Sequence, residues 1–572
     1  MQIHRRHAVI SNPIDLQLPP ILDRLYRNRG VTDVAQIQTQ IKKLRHYKEL
    51  KGIERASSLI CEAIQQEAFI CIIGDFDADG ATSTAICMLA LKAFGHKNVD
   101  YLVPNRFDFG YGLSPEIVDV AYQNNAEFII TVDNGISCVD GVNHAKHLGM
   151  RVVVTDHHLP GSTLPDADAI VNPNQPGCEF LSKNLAGVGV AFYVMLAVKA
   201  KLQEQGWFDK QNILAPNLAN YLDIVALGTV ADVVPLDQNN RILVHQGLQR
   251  IRSGIARPGI RAILDVAARP CHKLSSTDLG FVLGPRLNAA GRLDDMSLGI
   301  ECLLTEDEHI ARQMAARLDA LNLERREIES SMKDEAEKAL QAFISKGNDL
   351  PAGVVLYQSD FHQGVIGILA GRIKDKYYRP TIVFAKQDEN VIKGSARSIP
   401  GVHIRDLLEA INTQHPGLIN KFGGHAMAAG LSLSTTKLSE FTAAFENAVA
   451  VATEGLPMHD LILSDGVLAS EEINIDNASL IKLAVPWGQT FEEPLFDGVF
   501  HMRSQRIVGK NHLKMIVSLD SVEFDAIAFN IDLESWPNAK TRQVKLAYKL
   551  DINEFRGQIS VQLLVQALES VD

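Results

Sequence analysis

Hydrophobic and polar positions in this chain alternate in three different ways. From about residue 49 to 305, apolar runs such as 68–73, 127–132 and 151–155 are separated by helix-like stretches. That βαβ spacing predicts a mostly parallel sheet covered on both faces. Residues 305–346 contain no Gly or Pro and carry Ile310, Met314, Leu318, Leu321, Ile328, Met332, Ala336 and Phe343 at helical steps or their multiples. A long amphipathic helix is predicted there, with Thr305 as its N-cap. A second α/β unit follows over 347–455, with strands at 353–357 and 381–385 and a helix at 364–376. From 456 to 572 the apolar positions alternate with period two in short runs (499–503, 513–519, 525–530, 543–549 and 558–564), which predicts a small β-barrel. Residues 1–48 are polar and helix-like and read as an extension packed on the first domain.

At 572 residues the chain exceeds what one core can organise. Its 46% hydrophobic and 22% charged content is that of an ordinary globular protein. Residues 1–7 lack the apolar segment of a secretory signal, and 185–198 reads as a buried helix too short to span a bilayer. The seven cysteines form no C-x-x-C and mostly sit in apolar segments, as expected of small buried hydrophobes in a reducing cytoplasm. A net charge of −12 argues against coating nucleic acid by bulk electrostatics, but leaves room for a local basic groove.

The chemistry is concentrated at strand tips. Asp75-Phe76-Asp77-Ala78-Asp79-Gly80 follows an apolar run and precedes a helix-like one. Carboxylates packed so closely are stable only when metal ions neutralise them. An EF-hand loop begins in the same way, but it closes on a Glu where Ile86 stands here, and its flanks are both helices. Two further predicted strands end on Asp133-Asn134-Gly135 and Asp156-His157-His158. In open parallel sheets the ligand site lies outside the carboxyl ends of the strands. Three strand tips would therefore deliver Asp and His side chains to one crevice, where any single one would pass for a helix cap. Carboxylates with imidazole suit Mn²⁺ or Mg²⁺, and two such ions roughly 3.5–4 Å apart suit phosphodiester hydrolysis.

The second α/β unit offers cations and donors instead of acids. Lys393-Gly394-Ser395-Ala396-Arg397-Ser398 reads as a Gly-containing turn suited to phosphate contact, and Gly423-Gly424-His425 permits close backbone approach. Arg372, Lys374, Lys376 and Arg379 read as a solvated helix face. Asp223 reads as a cap or internal hydrogen-bonding group. In the barrel, Arg503, Arg506, Lys510 and Lys514, with Phe500, Phe524 and Phe529, are candidates for tracking and stacking on a strand, although several of those rings must fill the barrel's own core.

The three acidic motifs resemble those of the DHH phosphoesterase superfamily. The segments 103–113, 226–236, 284–293, 362–367, 393–398 and 422–430 narrow the resemblance to its single-strand-specific exonucleases, in family order from about residue 70 to 430. The resemblance implies an α/β protein: a DHH-type parallel-sheet domain (49–305), a connecting helix (306–346), a DHH-associated substrate-binding domain (347–455) and an OB-like barrel (456–572). It implies a 5′-to-3′ exonuclease that degrades single-stranded DNA to mononucleotides by two-metal catalysis, in repair and recombination. Asp133 is then the bridging ligand, Asp77 serves one ion, and Asp79, His157 and Asp232 serve the other. Asp75 belongs to the metal set with an open share, His158 is a ligand, a phosphate contact or an acid, and Asp156 orients a neighbouring His. Asn105, Arg286, Asn288, Arg292, His362, Ser395, Arg397, Ser398, Gly424 and His425 are the implied substrate contacts. A single-stranded-DNA-binding protein and a helicase are the implied partners. Enzymes of the superfamily that act on small substrates need no barrel, and a non-catalytic DNA binder gains nothing from clustered carboxylates.

Overall fold

The computed structural model describes residues 2–6, 17–105, 112–345, 350–459, 461–555 and 557–571. Residues 106–111 of the segment 103–113, and the side chain of Phe343, lie outside them. The chain divides into two compact units. One holds residues 1–291, 295–319 and 461–572, and the other holds 292–294 and 320–460.

The first unit opens with a short strand, β1 (Ile3–Arg5), and a helix, Pro20–Arg27, that buries Ile21, Leu22, Leu25 and Tyr26. Its main sheet contains β2 (Ile70–Ile73), β3 (Val99–Leu102), β4 (Phe128–Val132), β5 (Arg151–Thr155) and β6 (Ala169–Val171), all parallel, in the order β3-β2-β4-β5-β6. Every residue of β2 and β4 is buried, as expected for strands with helices on both faces. On one face Cys71, Ile73, Ile129, Val152 and Val154 pack against Ile117, Val118 and Val142. Strand order reverses beside β2, which places a crevice at the carboxyl ends of β2 and β4.

The βα alternation expected as far as residue 305 stops at Val171. The chain then forms helices, among them Gly187–Glu204, Leu222–Ala231 and Gln238–Arg252. Leu222–Ala231 is apolar on all sides and its first eight residues are buried, so its pattern carries no helical period. The long helix runs Glu308–Ser345. Its N-cap is Asp307, not Thr305: Asp307 Oδ1 accepts from His309 and Ile310 N–H at 2.7 and 3.0 Å.

In the second unit, β7 (Val354–Tyr357), β8 (Thr381–Lys386), β9 (Val391–Arg397), β10 (Lys421–Gly424) and β11 (Ala428–Ser434) form a mixed sheet in the order β10-β11-β9-β8-β7. One face packs Ile382, Phe384, Ile392 and Ala396 against Leu408, Phe441 and Phe445. The other packs Val383 and Ala385 against Ile366, Leu369 and Ile373 and against Met332 and Leu340 of the long helix. Arg372 and Lys376 are exposed, as expected of a solvated face, and the run also makes pairings within the unit. Arg372 pairs with Glu329 at 2.8 Å, Lys376 with Glu337 at 2.8 Å, and Arg379 donates to Tyr378 O at 3.0 Å.

Leu461–Asp572 returns to the first unit. β12 (Ile462–Ser464) pairs in parallel with β1. A closed five-stranded barrel follows, made of β13 (Phe496–Val508), β14 (His512–Leu519), β15 (Val522–Ala528), β16 (Gln543–Phe555) and β17 (Gln558–Ser570), so the alternating runs were strands. Arg29 forks onto Asp465 with both N···O distances at 2.9 Å, and both side chains are at most 1% exposed. Tyr26 packs on Trp487 and Phe491, with ring centroids 5.8 and 6.1 Å apart. The N-terminal segment thus packs on the segment leading into the barrel as well as on the helix Gln238–Arg252, where Arg241 and Gln246 donate to Gln36 O (2.8 Å) and Thr39 O (2.7 Å).

Candidate metal and nucleic-acid site

At the tip of β2, Asp77 is the N-cap of the helix Ala78–Ala93, and its Oδ1 accepts from Asp79 N–H at 2.9 Å and Gly80 N–H at 3.1 Å. Asn288 Oδ1 accepts from Ala78 N–H at 2.8 Å, which anchors this turn from the helix Gly284–Leu293. Asp79 is 1% exposed and is held from a third element, accepting from Gly187 N–H (2.6 Å) and Val188 N–H (2.9 Å) at the start of Gly187–Glu204. Those two donors were not foreseen. The Gly-Val-Gly at 187–189, inside what read as a plain buried helix, was the only hint.

At the tip of β4, Asp133 takes a left-handed backbone (φ 61°) and is 2% exposed. Asn134 fixes this turn by donating from Nδ2 to Val132 O (2.9 Å) and to Ile73 O of β2 (3.0 Å). At the tip of β5, Asp156 Oδ1 accepts from the backbone N–H of His157 (2.7 Å) and His158 (3.1 Å) and from His158 Nδ1 (2.8 Å), while Oδ2 accepts from Ile136 N–H (2.9 Å). The expected orienting role of Asp156 is thus directed at His158. Asp232 ends the helix Leu222–Ala231.

His157 Nε2 joins these elements, lying 3.1 Å from Asp133 Oδ1, 3.5 Å from Asp232 Oδ2 and 3.8 Å from Asp79 Oδ2. Asp75, Asp77 and Asp133 form one group with ligand atoms within 4.8 Å of one another, Asp79, His157 and Asp232 a second, and Asp133, His157 and His158 a third. Asp133 belongs to two of the three. Burial, together with the charge of neighbouring acids, raises the pKa of Asp133 and Asp232 well above the ordinary carboxylate value and that of Asp79 to about 7. Burial would also raise Asp156, but its hydrogen bond and ion pair with His158 outweigh this and hold it low. The same pairing outweighs burial at His158 and pushes that ring up to about 9. Asp232 Oδ2 is buried without a hydrogen-bond donor. A wall of mutually repelling carboxylates with imidazoles among them is matched to divalent cations, so the residues fit the ions their types suggest.

The remaining expected residues separate into groups. Asp223 is internal: it accepts from Arg257 N–H at 2.8 Å and from Ile224 N–H at 3.0 Å. Asn105 is exposed at the end of its described segment. Arg286 is engaged by Asp319 (2.9 Å) and Val282 O (2.8 Å), a partner the sequence did not suggest. In the second unit, Arg292 donates to Gly364 O at 3.0 Å, and His362 Nδ1 accepts from Gly364 N–H at 3.1 Å. The segment expected as a turn at 393–398 is strand β9, with Lys393, Ser395 and Arg397 partly exposed and Ile392, Gly394 and Ala396 buried. Period-two burial, hidden by the small residues, puts Ser395 and Arg397 on one face, with Arg397 Nη1 donating to Ser395 Oγ at 3.1 Å. Gly394 is required there, because a Cβ would lie 2.5 Å from the Phe384 ring. Ser398 is turned inward, 1% exposed, and donates to Val402 O at 2.6 Å. Gly424 ends β10 and His425 follows it in the turn to β11, where its N–H donates to Ala428 O at 2.8 Å. In the barrel, Phe500 and Phe524 are core residues (1% and 5% exposed), and only Phe529 of the three, at 52%, faces solvent.

Residues 69–229 match the N-terminal domain of the DHH family, 351–451 the DHHA1 domain and 464–567 the RecJ OB domain. Over 567 residues the chain is 52% identical to the single-stranded-DNA-specific exonuclease RecJ of Escherichia coli, covering 99% of this chain and 98% of that protein. The crystal structure of RecJ from Thermus thermophilus in complex with Mn²⁺ superposes with a TM-score of 0.76 at 26% identity, covering 97% of this chain and 77% of that one. The Mg²⁺ complex from the same organism gives 0.71 at 25% identity, covering 97% and 76%.

Proposed function

The chain belongs to the RecJ family, and from that premise we infer that it is a metal-dependent exonuclease. It hydrolyses single-stranded DNA in the 5′-to-3′ direction, releases mononucleotides, and serves DNA repair and recombination. The observation that carries this reading is the convergence of Asp75, Asp77, Asp79, Asp133, His157 and His158 from the strand tips and Asp232 from a helix end into overlapping ligand groups. Mn²⁺ or Mg²⁺, as a pair of ions, would supply charge neutralisation at the phosphoryl group, an activated water and a stabilised leaving oxygen.

The protein's share of the reaction is placement. Asp133, grouped with Asp75 and Asp77 on one side and with His157 and His158 on the other, would be the carboxylate shared between two ions, and Asp79, His157 and Asp232 would hold the second of them. Backbone donors at Gly187 and Val188 keep Asp79 aimed without occupying a side chain. Asp156 accepts from Nδ1 of His158 and so orients that ring, which lies in one ligand group with Asp133 and His157 and would bind an ion, contact phosphate or carry a proton. Ser395, Arg397 and His425 supply phosphate donors, with Arg292, His362 and Gly424 beside them in the same unit; Arg286, Asn288 and Asn105 belong to the nuclease unit's substrate set. Asn288 does this while bracing the Asp77 turn, and the geometry of Ser398 supports a structural role.

Contacts with a single-stranded-DNA-binding protein and a helicase, and a cytoplasmic location, are part of the proposal. All seven cysteines are free, as suits a reducing compartment, and no helix among the described residues is long and apolar enough to cross a membrane. The test is a panel of labelled single strands, duplexes and cyclic dinucleotides with Mn²⁺. Release of mononucleotides from single strands alone is expected, and preferential cleavage of the dinucleotides would replace this reading with that of a small-substrate phosphodiesterase.

A further inference from the structure

A second surface of the nuclease unit, built by residues outside the acidic motifs, carries its own nucleic-acid chemistry. In a chain of net charge −12, Lys42, Lys43, Arg45, Lys48, Lys51 and Arg55 gather within a short stretch that contains only Glu49 and Glu54 as counter-charges. The stretch runs through two single-turn 3₁₀ segments, Ile41–Lys43 and Tyr47–Glu49, into the helix Ile53–Gln65, with Leu50 and Ile53 buried beneath the exposed cations. Lys42, Lys43, Lys48 and Arg55 are exposed and pair with no carboxylate among the described residues. Arg45 meets Glu49 at 3.2 Å, and Lys51 donates to Pro176 O at 2.6 Å.

Aromatic rings lie among the cations. His46 is exposed and lies tilted by 35° against Tyr47, with centroids 4.4 Å apart, and its Nδ1 accepts from Lys48 N–H at 3.2 Å, which fixes the ring and leaves Nε2 as its donor nitrogen. Beside the pair opens a cavity of about 530 Å³ lined by Lys43, Arg45, His46 and Glu49 on one side and Leu181, Ser182, Asp237 and Asn239 on the other; of its two carboxylates, Glu49 is paired with Arg45 and Asp237 accepts from Ser182 Oγ at 2.7 Å. Asn239 is 4% exposed. Its Oδ1 is taken by Arg45 N–H (3.1 Å) and Tyr193 O–H (3.0 Å), which fixes the amide so that Nδ2 remains a donor without an acceptor. A buried donor left unmet costs about 1–3 kcal/mol, so an acceptor from a ligand or a water is favoured there.

A basic run is most often a solvated face. Unpaired cations, a fixed ring pair and a polar cavity with a spare donor together have the features of a single-strand track, where phosphates meet cations and bases meet rings. We propose that the 42–55 surface and its cavity bind the substrate strand at nucleotides away from the scissile bond. The occupant is single-stranded DNA because the surface is positive and the enzyme's own substrate is the polyanion it must hold; the inference therefore rests on the function proposed above.

The test compares the full-length protein with the variant Lys42→Gln/Lys43→Gln/Lys48→Gln, all exposed positions, using a long and a very short oligo-dT. For the long strand, the slope of log affinity against log salt should fall by about 2, at roughly 0.7 per lost contact, and affinity near 0.1 M salt should drop between about tenfold and a hundredfold. Cleavage of the short oligonucleotide at saturation should be unchanged, and Tyr47→Ala should weaken long-strand binding with no change in slope. Unaltered long-strand affinity and slope would overturn the proposal, as would loss of short-oligonucleotide cleavage. So would a selective loss of poly-glutamate binding, which would mark a protein-docking surface. If the unsubstituted protein failed to cleave single strands at all, the functional reading itself would fall.

Discussion

Replacing Gly187 by Ala tests whether backbone proximity, and not only ligand identity, builds the metal site. An added Cβ would lie 2.6 Å from Asp133 Cβ and 2.7 Å from its Oδ1, where ordinary contact begins at 3.4 Å. Something must therefore move by about 0.8 Å. Asp133 yields poorly, because its left-handed turn is tied by Asn134 to two strands. Helix Gly187–Glu204 yields poorly too, because its first N–H groups hold Asp79. Overpacking of this kind costs about 1–3 kcal/mol, more than the up to about 1 kcal/mol that Ala gains over Gly in a helix. The displacement falls on Asp133, the carboxylate proposed to join the two ion positions, and misplacement near 1 Å can cost on the order of 10²-fold in rate. The expected result is a loss of that size in Mn²⁺-dependent nucleotide release, with a lowered but cooperative thermal transition. Gly189→Ala is the control, since its Cβ would meet only the flexible end of Leu185 at 3.0 Å. A near-normal rate for Gly187→Ala, or an equal loss for Gly189→Ala, would refute the reasoning.

Three further outcomes follow from the same geometry. Asp79, Asp133 and Asp232 have folded pKa values raised above their unfolded ones, so the folded state binds the extra protons and the metal-free protein should lose stability as pH rises from about 4 through about 7; melting curves should show this, and Mn²⁺ should flatten it. Arg397→Ala should slow cleavage by about 10²-fold, as loss of one preorganised donor does, with Mn²⁺ affinity unchanged in a titration. Arg29→Ala leaves Asp465 buried without its guanidinium partner and should cost about 3–5 kcal/mol in urea unfolding.

Much of the site was legible because each strand tip carries its own sequence sign. An unbroken apolar run ending on Asp or on Asp-His-His states both the element and its chemical end. What stayed hidden depended on partners remote in sequence. Nothing near Asp79 announces the Gly187 and Val188 donors, and nothing near Arg286 announces Asp319. Patterns also failed where burial was uniform or side chains were small: Leu222–Ala231 has no polar face to set its period, and Gly394 and Ala396 disguised a strand as a turn. The barrel strands could be read from alternation, yet which of Phe500, Phe524 and Phe529 faces outward depends on closure of the barrel. The barrel is also less separable than its alternation suggests, since Arg5 pairs with Asp497 of β13, and Arg29, Tyr26 and β1 hold the segment that leads into it.

The central claim is that Asp133 joins two ion positions into one hydrolytic centre. It is tested most directly by equilibrium Mn²⁺ titration of the protein and of Asp133→Ala, with single-strand cleavage measured on the same samples. The account predicts two bound ions and cleavage for the unsubstituted protein, and for the variant an intact fold, impaired binding of both ions and no cleavage. An Asp133→Ala protein that turned over single-stranded DNA at a near-normal rate with Mn²⁺ would contradict it.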